Sequence, residues 1–194
     1  MGSQLSKEDV EMLARNTSFS EEEVKRRYES FLEDYPEGKV NKDQFLQVYQ
    51  ELFEPHWGHK KGASASLQRR PDSIWRYVFQ AIDRDSNGVV DFKELLFGID
   101  VTNFGTPKEK LEWAFKLYDI SGDGNINERE MISVLQAMYD MFDGDPDKSE
   151  ALTETAKEVF RKMDTDSNHK VTIYEFVNGC LADKKLCKLL LNEG

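Results

Sequence analysis

The chain has 194 residues and a formal net charge of −11 at pH 7. This length suits one large domain or two small lobes, and such an acidic composition argues against a nucleic-acid partner. Its longest apolar runs are far shorter than the roughly 20 residues of a membrane-spanning helix, and the opening residues do not have the pattern of a signal peptide. We expect Cys180 and Cys187 to pack as small apolar residues in a reducing cytosol.

The first six residues fit the pattern for N-myristoylation, in which Gly2 is acylated and Ser or Thr stands at position 6, here Ser6. We therefore predict a myristoylated Gly2. Two alternatives remain open. Ser6 can instead cap a helix that begins at Lys7, with Asp9 as its capping-box partner, and Met-Gly-Ser can be a remnant of an expression vector.

Residues 33–44, the first loop, look like a calcium loop that has lost its ligands. An EF-hand loop has twelve residues, in which positions 1, 3, 5, 7, 9 and 12 supply oxygens and a glycine at position 6 makes the sharp turn. The first loop keeps Gly38 at position 6. However, Tyr35 stands at position 3, Pro36 stiffens position 4, and Gln44 replaces the bidentate glutamate at position 12. We predict that the first loop is structural and holds no ion.

A segment without any acidic residue interrupts the repeat at 56–71. Its Gly, Ala and Ser content favours a flexible, solvated insertion loop. Its fixed positive charges allow a second interpretation, a contact for anionic lipid or an acidic partner; they belong to Lys60, Lys61, Arg69 and Arg70. A third interpretation, a metal site at His56 and His59, has no further ligands close in sequence to support it.

Three more segments follow the EF-hand pattern, which is too many for chance. The second loop supplies Asp83, Asp85, Asn87, the Val89 carbonyl, Asp91 and a bidentate Glu94. The third loop supplies Asp119, Ser121, Asp123, the Asn125 carbonyl, Asn127 and Glu130. The fourth loop supplies Asp164, Asp166, Asn168, the Lys170 carbonyl, Thr172 and Glu175. We expect Ca²⁺ at all three sites, with Mg²⁺ able to replace it at some. An acidic Asx-rich turn is the alternative for each loop.

The fourth loop departs from the pattern at position 6, where His169 replaces glycine. That position requires a positive φ, which costs an ordinary residue roughly 1–2 kcal/mol, although His tolerates it better than most residues do. We therefore expect the fourth loop to bind calcium roughly tenfold more weakly than an ordinary glycine-containing loop.

Amphipathic patterns flank all four loops. The predicted helices lie near 7–15, 21–33, 42–54, 72–82, 92–100, 107–118, 128–142, 150–163, 173–181 and 184–191. The apolar residues at position 8 of the loops are expected to join each loop pair in a two-strand ladder: Val40, Val90, Ile126 and Val171. The predicted fold class is all-α, with four EF-hands in two paired lobes, 1–102 and 103–194, and a linker at Asn103–Thr106.

Aromatic residues are frequent in the N-terminal half, where Met is scarce. We predict that some of them line a groove for the apolar face of a partner's amphipathic helix. The candidates are Tyr28, Phe31, Phe45, Tyr49, Phe53, Trp75 and Phe79. The alternative is that they are core residues. Aromatic anchors are more rigid than Met, so such a groove would be more selective than a Met-rich one.

These features together resemble the neuronal calcium sensor family, from Gly2 to about Leu190. The resemblance rests on the N-terminal Met-Gly-x-x-x-Ser, on a disabled first loop of the form Pro-x-Gly, and on residues 110–119, Lys-Leu-Glu-Trp-Ala-Phe-Lys-Leu-Tyr-Asp. Two features depart from the family's pattern. Tyr35 stands where the family usually has Cys, and the basic segment at 56–71 is unusual.

The resemblance implies a cytosolic calcium sensor that presents an apolar surface to a target helix, with an acyl chain that is buried without calcium and released with it. We expect a monomer or weak dimer that associates peripherally with anionic membranes through the acyl chain and basic residues. The alternative is a cytosolic calcium buffer that regulates no target. The sequence has no His-Glu-x-x-His motif and no nucleophile elbow, and we expect no enzymatic activity.

Overall fold

A computed structural model of the protein describes residues 5–45, 72–142 and 149–191. The described chain is mostly helical. Its elements, in chain order, are α1 (Lys7–Asn16), α2 (Glu21–Asp34), β1 (Lys39–Val40), α3 (Asp72–Ile82), β2 (Val90–Asp91), α4 (Phe92–Phe104), α5 (Pro107–Tyr118), β3 (Asn125–Ile126), α6 (Glu128–Phe142), α7 (Ser149–Met163), β4 (Val171–Thr172), α8 (Ile173–Ala182) and α9 (Lys184–Leu191). Residues 42–45 are also helical, and the rest of the helix predicted at 42–54 lies outside the described residues.

Reciprocal capping boxes fix the starts of several helices. The Ser6 hydroxyl accepts a hydrogen bond from the Asp9 backbone N–H at 3.1 Å, and the Asp9 carboxylate accepts one from the Ser6 backbone N–H at 3.2 Å. The same arrangement begins α2, α4, α5 and α8. Each box satisfies backbone N–H groups that no helical carbonyl can reach. The predicted starts near residues 7, 21, 92, 107 and 173 are therefore confirmed.

The α4 helix corrects one predicted boundary, because it continues to Phe104 instead of ending near residue 100. Polar side chains in its last turns bond back to the helix itself: the Thr102 hydroxyl donates to a carbonyl one turn earlier at 3.0 Å, and the Asn103 amide does so at 2.9 Å. The Gly105 N–H donates to the Val101 carbonyl at 3.0 Å and ends the helix. The connection to α5 is consequently shorter than the predicted linker.

Two antiparallel ladders join the loops in pairs, as the position-8 residues predicted. Strands β1 and β2 pair with Val40 opposite Val90, and β3 and β4 pair with Ile126 opposite Val171. All four side chains are buried. The ladders therefore bring the first loop beside the second loop, and the third loop beside the fourth.

The core runs through both halves of the described chain. Helix α3 packs against α5 and α6 as well as against α4, and α9 packs against α8 and α5. The buried Tyr118 hydroxyl donates to the Leu190 carbonyl at 3.1 Å and so fastens α9 to the core. Cys180 is buried, and neither Cys180 nor Cys187 forms a disulfide. None of the described helices is both long enough and apolar enough to span a membrane.

Candidate metal centres

The second loop brings its carboxylates together around one point. Oxygens of Asp83, Asp85 and Glu94 all lie within 4.8 Å of one another. The Asp83 carboxylate accepts the backbone N–H of Asn87 at 3.1 Å and that of Gly88 at 2.9 Å. These two hydrogen bonds wrap the loop around its first ligand, and the cluster offers the hard oxygen donors that Ca²⁺ prefers.

Glu94 closes the second loop from its far end. One carboxylate oxygen accepts the Arg84 N–H at 2.8 Å and the other accepts the Asp91 N–H at 3.0 Å. The Asp91 carboxylate in turn accepts the Glu94 N–H at 2.9 Å. Burial raises the pKa of Glu94, partly offset by these hydrogen bonds. Position 12 is therefore both a carboxylate ligand candidate and the capping-box partner of Asp91, the N-cap of α4.

The third loop repeats this arrangement with one fewer acid. The Asp119 carboxylate accepts the backbone N–H of Asp123 at 3.1 Å and that of Gly124 at 2.9 Å. Glu130 accepts the N–H of Ser121 at 2.8 Å and that of Asn127 at 2.9 Å. Because Ser121 occupies position 3, the carboxylate trios found among the described residues are those of the second and fourth loops.

The fourth loop has the same geometry although it lacks the glycine. Oxygens of Asp164, Asp166 and Glu175 lie within 4.8 Å of one another. Asp164 accepts the Asn168 N–H and the His169 N–H, both at 3.0 Å. Burial alone would raise the pKa of Glu175, but hydrogen bonds from the backbone and side chains of two threonines outweigh it and hold that pKa at about 2.

Position 7 also behaves alike in the three loops. The backbone N–H of this residue donates to the side-chain oxygen of position 5, at 2.8–2.9 Å. The residues concerned are Val89 with Asn87, Asn125 with Asp123, and Lys170 with Asn168. The backbone that would offer the carbonyl ligand is therefore held close to the preceding ligand.

Two positions of each of these loops have a left-handed backbone. The angle φ at position 4 is 56° at Ser86, 69° at Gly122 and 58° at Ser167; at position 6 it is 83° at Gly88, 81° at Gly124 and 64° at His169. The prediction that His169 must adopt a positive φ is confirmed. Sequence reasoning missed position 4, where only Gly122 gave a signal, because Ser does not favour this conformation.

The first loop differs in the same places. Gly38 has a φ of 73°, but its N–H donates to the Tyr35 carbonyl at 2.8 Å instead of to a carboxylate at position 1. Position 4 is Pro36, whose ring fixes φ near −65°. Asn41 and Gln44 still exchange capping hydrogen bonds at 3.0 Å. The first loop therefore retains the cap and the turn without the acidic cluster.

Most of the candidate groove residues are closed into the core. The side chains of Tyr28, Phe31, Phe45, Trp75 and Phe79 are each at most 9% exposed. Phe92, at position 10 of the second loop, packs edge-on against Tyr28 with ring centroids 5.0 Å apart and against Phe31 at 5.5 Å. Tyr49 and Phe53 lie outside the described residues. We call the described set with Phe92 the aromatic cluster.

Two further predictions fall outside the described residues: the acylation site Gly2, and the basic segment 56–71 with its histidines. The structure does show that Ser6 caps α1 through the box with Asp9. This is the alternative role that the sequence allowed for Ser6.

Comparison with known proteins gives the family. The chain is 32% identical to recoverin from Homo sapiens over 191 residues, which cover 96% of this chain and 89% of recoverin. It is 32% identical to S-modulin from Aquarana catesbeiana over 197 residues, which cover 97% of this chain and 90% of S-modulin. A profile described as an EF-hand domain pair matches residues 108–181, and one described as an EF hand matches 77–97. These matches and the acidic clusters indicate Ca²⁺ binding. The chain belongs to the neuronal calcium sensor family.

Proposed function

We propose that the protein is a calcium sensor with four EF-hands in two paired lobes, 1–102 and 103–194. It binds three Ca²⁺ ions through its second, third and fourth loops and presents an apolar groove to an amphipathic helix of a target protein. The shared hydrogen-bond geometry of these three loops carries the proposal, because each loop wraps the carboxylate of position 1 with two N–H groups. The ligands proposed are those predicted from the sequence.

The link from calcium to the groove runs through Phe92. Phe92 lies two residues before Glu94 and its ring packs on Tyr28 and Phe31. Coordination by Glu94 re-aims the helix that leaves a sensor loop, and α4 carries Phe92 with it. The aromatic cluster would then open and expose apolar rings, to which a partner helix can bind.

A dye that binds exposed apolar surface, together with calorimetry, tests this proposal. We expect three Ca²⁺ per chain and a large rise in dye fluorescence with Ca²⁺ relative to chelator. Three ions without a rise in fluorescence would indicate a calcium buffer. A stoichiometry of four would contradict the empty first loop. Repeating the titration in millimolar Mg²⁺ measures which sites Mg²⁺ also occupies.

We also propose a peripheral membrane anchor built on a myristoylated Gly2, and hence a cytoplasmic protein that visits membranes. One myristoyl chain binds a bilayer only marginally, at roughly 10⁴ M⁻¹, so a second contact is required. Basic side chains on α1 and α2 lie near the N-terminus and can meet anionic lipid at about 1 kcal/mol each near the surface. They are Lys7, Arg15, Lys25, Arg26 and Arg27.

Co-sedimentation with phosphatidylserine-containing vesicles tests the anchor. Protein produced with and without an N-myristoyltransferase is compared in Ca²⁺ and in chelator. We expect strong pelleting only for acylated protein in Ca²⁺. Equal pelleting under all four conditions would remove both the anchor and its calcium control, and sedimentation velocity on the same samples reports whether the chain is a monomer or a weak dimer.

A further inference from the structure

The N-terminal helix is attached to α4 at the residue next to the last ligand of the second loop. Lys93 Nζ donates to one oxygen of Asp9 at 2.6 Å, across 84 positions of sequence. The other oxygen accepts the Ser6 hydroxyl at 2.8 Å and the Ser6 backbone N–H at 3.2 Å, as part of the capping box of α1. The Lys93 and Asp9 side chains are 40% and 32% exposed. The hydrogen bond from Lys93, followed by that from Ser6, lowers the pKa of Asp9 to about 2.

The turn between α1 and α2 adds two more contacts with the same helix. The Ser18 N–H donates to the Asp100 carboxylate at 2.7 Å. The ring of Phe19 packs edge-on against Phe104 with centroids 5.6 Å apart, and the Arg27 guanidinium lies 4.4 Å from the centroid of the Phe19 ring. These contacts occur along α4 from its first turn to its last. The N-terminal segment is therefore held along the whole helix that leaves the second loop.

We propose that Asp9 is a positioning residue for the second loop, which acts through Lys93 to weaken the affinity of that loop for Ca²⁺. The inference rests on the proposed role of Glu94 as the ligand at position 12. Both Glu94 oxygens here accept backbone N–H groups, those of Arg84 and Asp91. Calcium binding to a sensor loop re-aims the helix that leaves it, and so rotates the first turn of α4. Lys93 belongs to that turn, so its ion pair with Asp9 resists the rotation.

A calcium titration resolved by loop tests the inference on the full, unacylated chain. The backbone amides of Gly88 and Gly124 each donate to the first aspartate of their own loop, so their NMR resonances report on the second and third loops separately. With Asp9→Asn we expect Ca²⁺ to bind the second loop about two- to fivefold more tightly, the range that a partly exposed ion pair supplies. The affinity of the third loop should not change.

The sign of the effect separates the tether from general electrostatics. Removing a negative charge near a cation site weakens binding, whereas release of the tether tightens it. Glu11→Gln is the matched control, because it removes the same charge from α1 and pairs only with Lys7 and Arg15 of that helix among the described residues. We expect Glu11→Gln to leave the second loop unchanged or slightly weaker. Asp9→Glu keeps the negative charge and the capping box, so its calcium affinity at the second loop should equal that of the parent protein.

A double-mutant cycle completes the test. Lys93→Gln should itself tighten calcium binding, because it removes a positive charge beside the site. The test therefore depends on the coupling between the two substitutions. In the Lys93→Gln background, Asp9→Asn should give no further tightening. Equal affinities for the parent and Asp9→Asn, the same tightening with and without Lys93, or an equal shift at Gly124 would each overturn the inference. If the parent Gly88 resonance does not respond to Ca²⁺, the proposed function itself fails.

Discussion

The first and second loops are partners in one ladder, yet only the second loop has the sequence features of a calcium site. Val40 of one pairs with Val90 of the other, and both loops have a left-handed glycine at position 6. Both also begin the next helix with a reciprocal cap, made by Asn41 with Gln44 in the first loop and by an aspartate and a glutamate in the second. The two loops thus share a scaffold.

The ion-binding features are what separates them. In the second loop the glycine N–H at position 6 donates to the Asp83 carboxylate, whereas Gly38 donates to a backbone carbonyl. Position 4 is left-handed at Ser86 and is held by a proline ring in the first loop. Pairing and helix initiation therefore depend on positions 6, 8, 9 and 12 as hydrogen-bonding or apolar groups. Relative to the first loop, the second loop has carboxylates at positions 3 and 12, the shorter Asp83 at position 1 and a left-handed backbone at position 4, and we expect these differences to decide calcium binding.

Replacing Glu94 by Gln should reduce the difference in calcium binding between the two loops more than any other change. In the first loop Gln44 at position 12 still completes the capping box with Asn41, so we expect the metal-free protein to change by less than about 1 kcal/mol in its free energy of unfolding. Calcium should bind the second loop about 10- to 100-fold more weakly, because a charge-assisted contact of about 1.5–3 kcal/mol is lost. Calorimetry and urea denaturation measure the two quantities. A large loss of stability without calcium would show that the charge, and not the cap, supports α4.

Installing the missing acids in the first loop tests the role of position 4. The triple variant Glu33→Asp, Tyr35→Asp, Gln44→Glu gives the first loop the same acids that the second loop has at positions 1, 3 and 12 but leaves Pro36 in place. We expect a fourth calcium ion to bind appreciably only when Pro36→Ser is added, with a gain of about tenfold, since proline cannot reach a positive φ. Calorimetry on both variants decides this, and equal binding by the two would mean that the backbone at position 4 is unimportant.

The fourth loop offers a smaller effect. His169 has a φ of 64°, a conformation that costs a residue other than glycine roughly 1–2 kcal/mol. His169→Gly should remove this strain and tighten calcium binding by up to about tenfold. His169→Ala, which keeps the strain and removes the imidazole, is the control and should not tighten it. Loop-resolved NMR titration measures both. If the glycine variant gains nothing, the surrounding loop already holds His169 in place without cost.

The smallest expected effect concerns the ion pair between the third and fourth loops. Lys170 Nζ lies 3.7 Å from the Asp123 carboxylate, with both side chains about half exposed. Lys170→Met should strengthen calcium binding in the third loop by no more than about twofold, because exposed pairs contribute little. Lys157→Met, which breaks an exposed pair with Glu154 on α7, is a control away from the loops. A tenfold change would mean that this pair couples the two sites strongly.

Local chemistry explains why much of this could be predicted from sequence. The capping boxes, the twelve-residue spacing and the apolar residue at position 8 each act over a few residues, so the helix starts and the ladder register followed from them. The end of α4 could not be predicted in this way, because the side chains of Thr102 and Asn103 donate hydrogen bonds to carbonyls of the helix and the helix continues through both residues. The contact of Lys93 with Asp9 joins segments that are distant in sequence, so no local pattern predicts it.

The difference between the two cysteines has a practical consequence. Burial, with smaller contributions from Cys187 and Asp183, raises the pKa of Cys180 to about 12, and a thiol that stays protonated is inert towards maleimides. Cys187 is partly exposed on α9. A fluorophore or spin label should therefore attach at Cys187 alone, without any engineered cysteine, and report on the helix whose Leu190 carbonyl meets Tyr118.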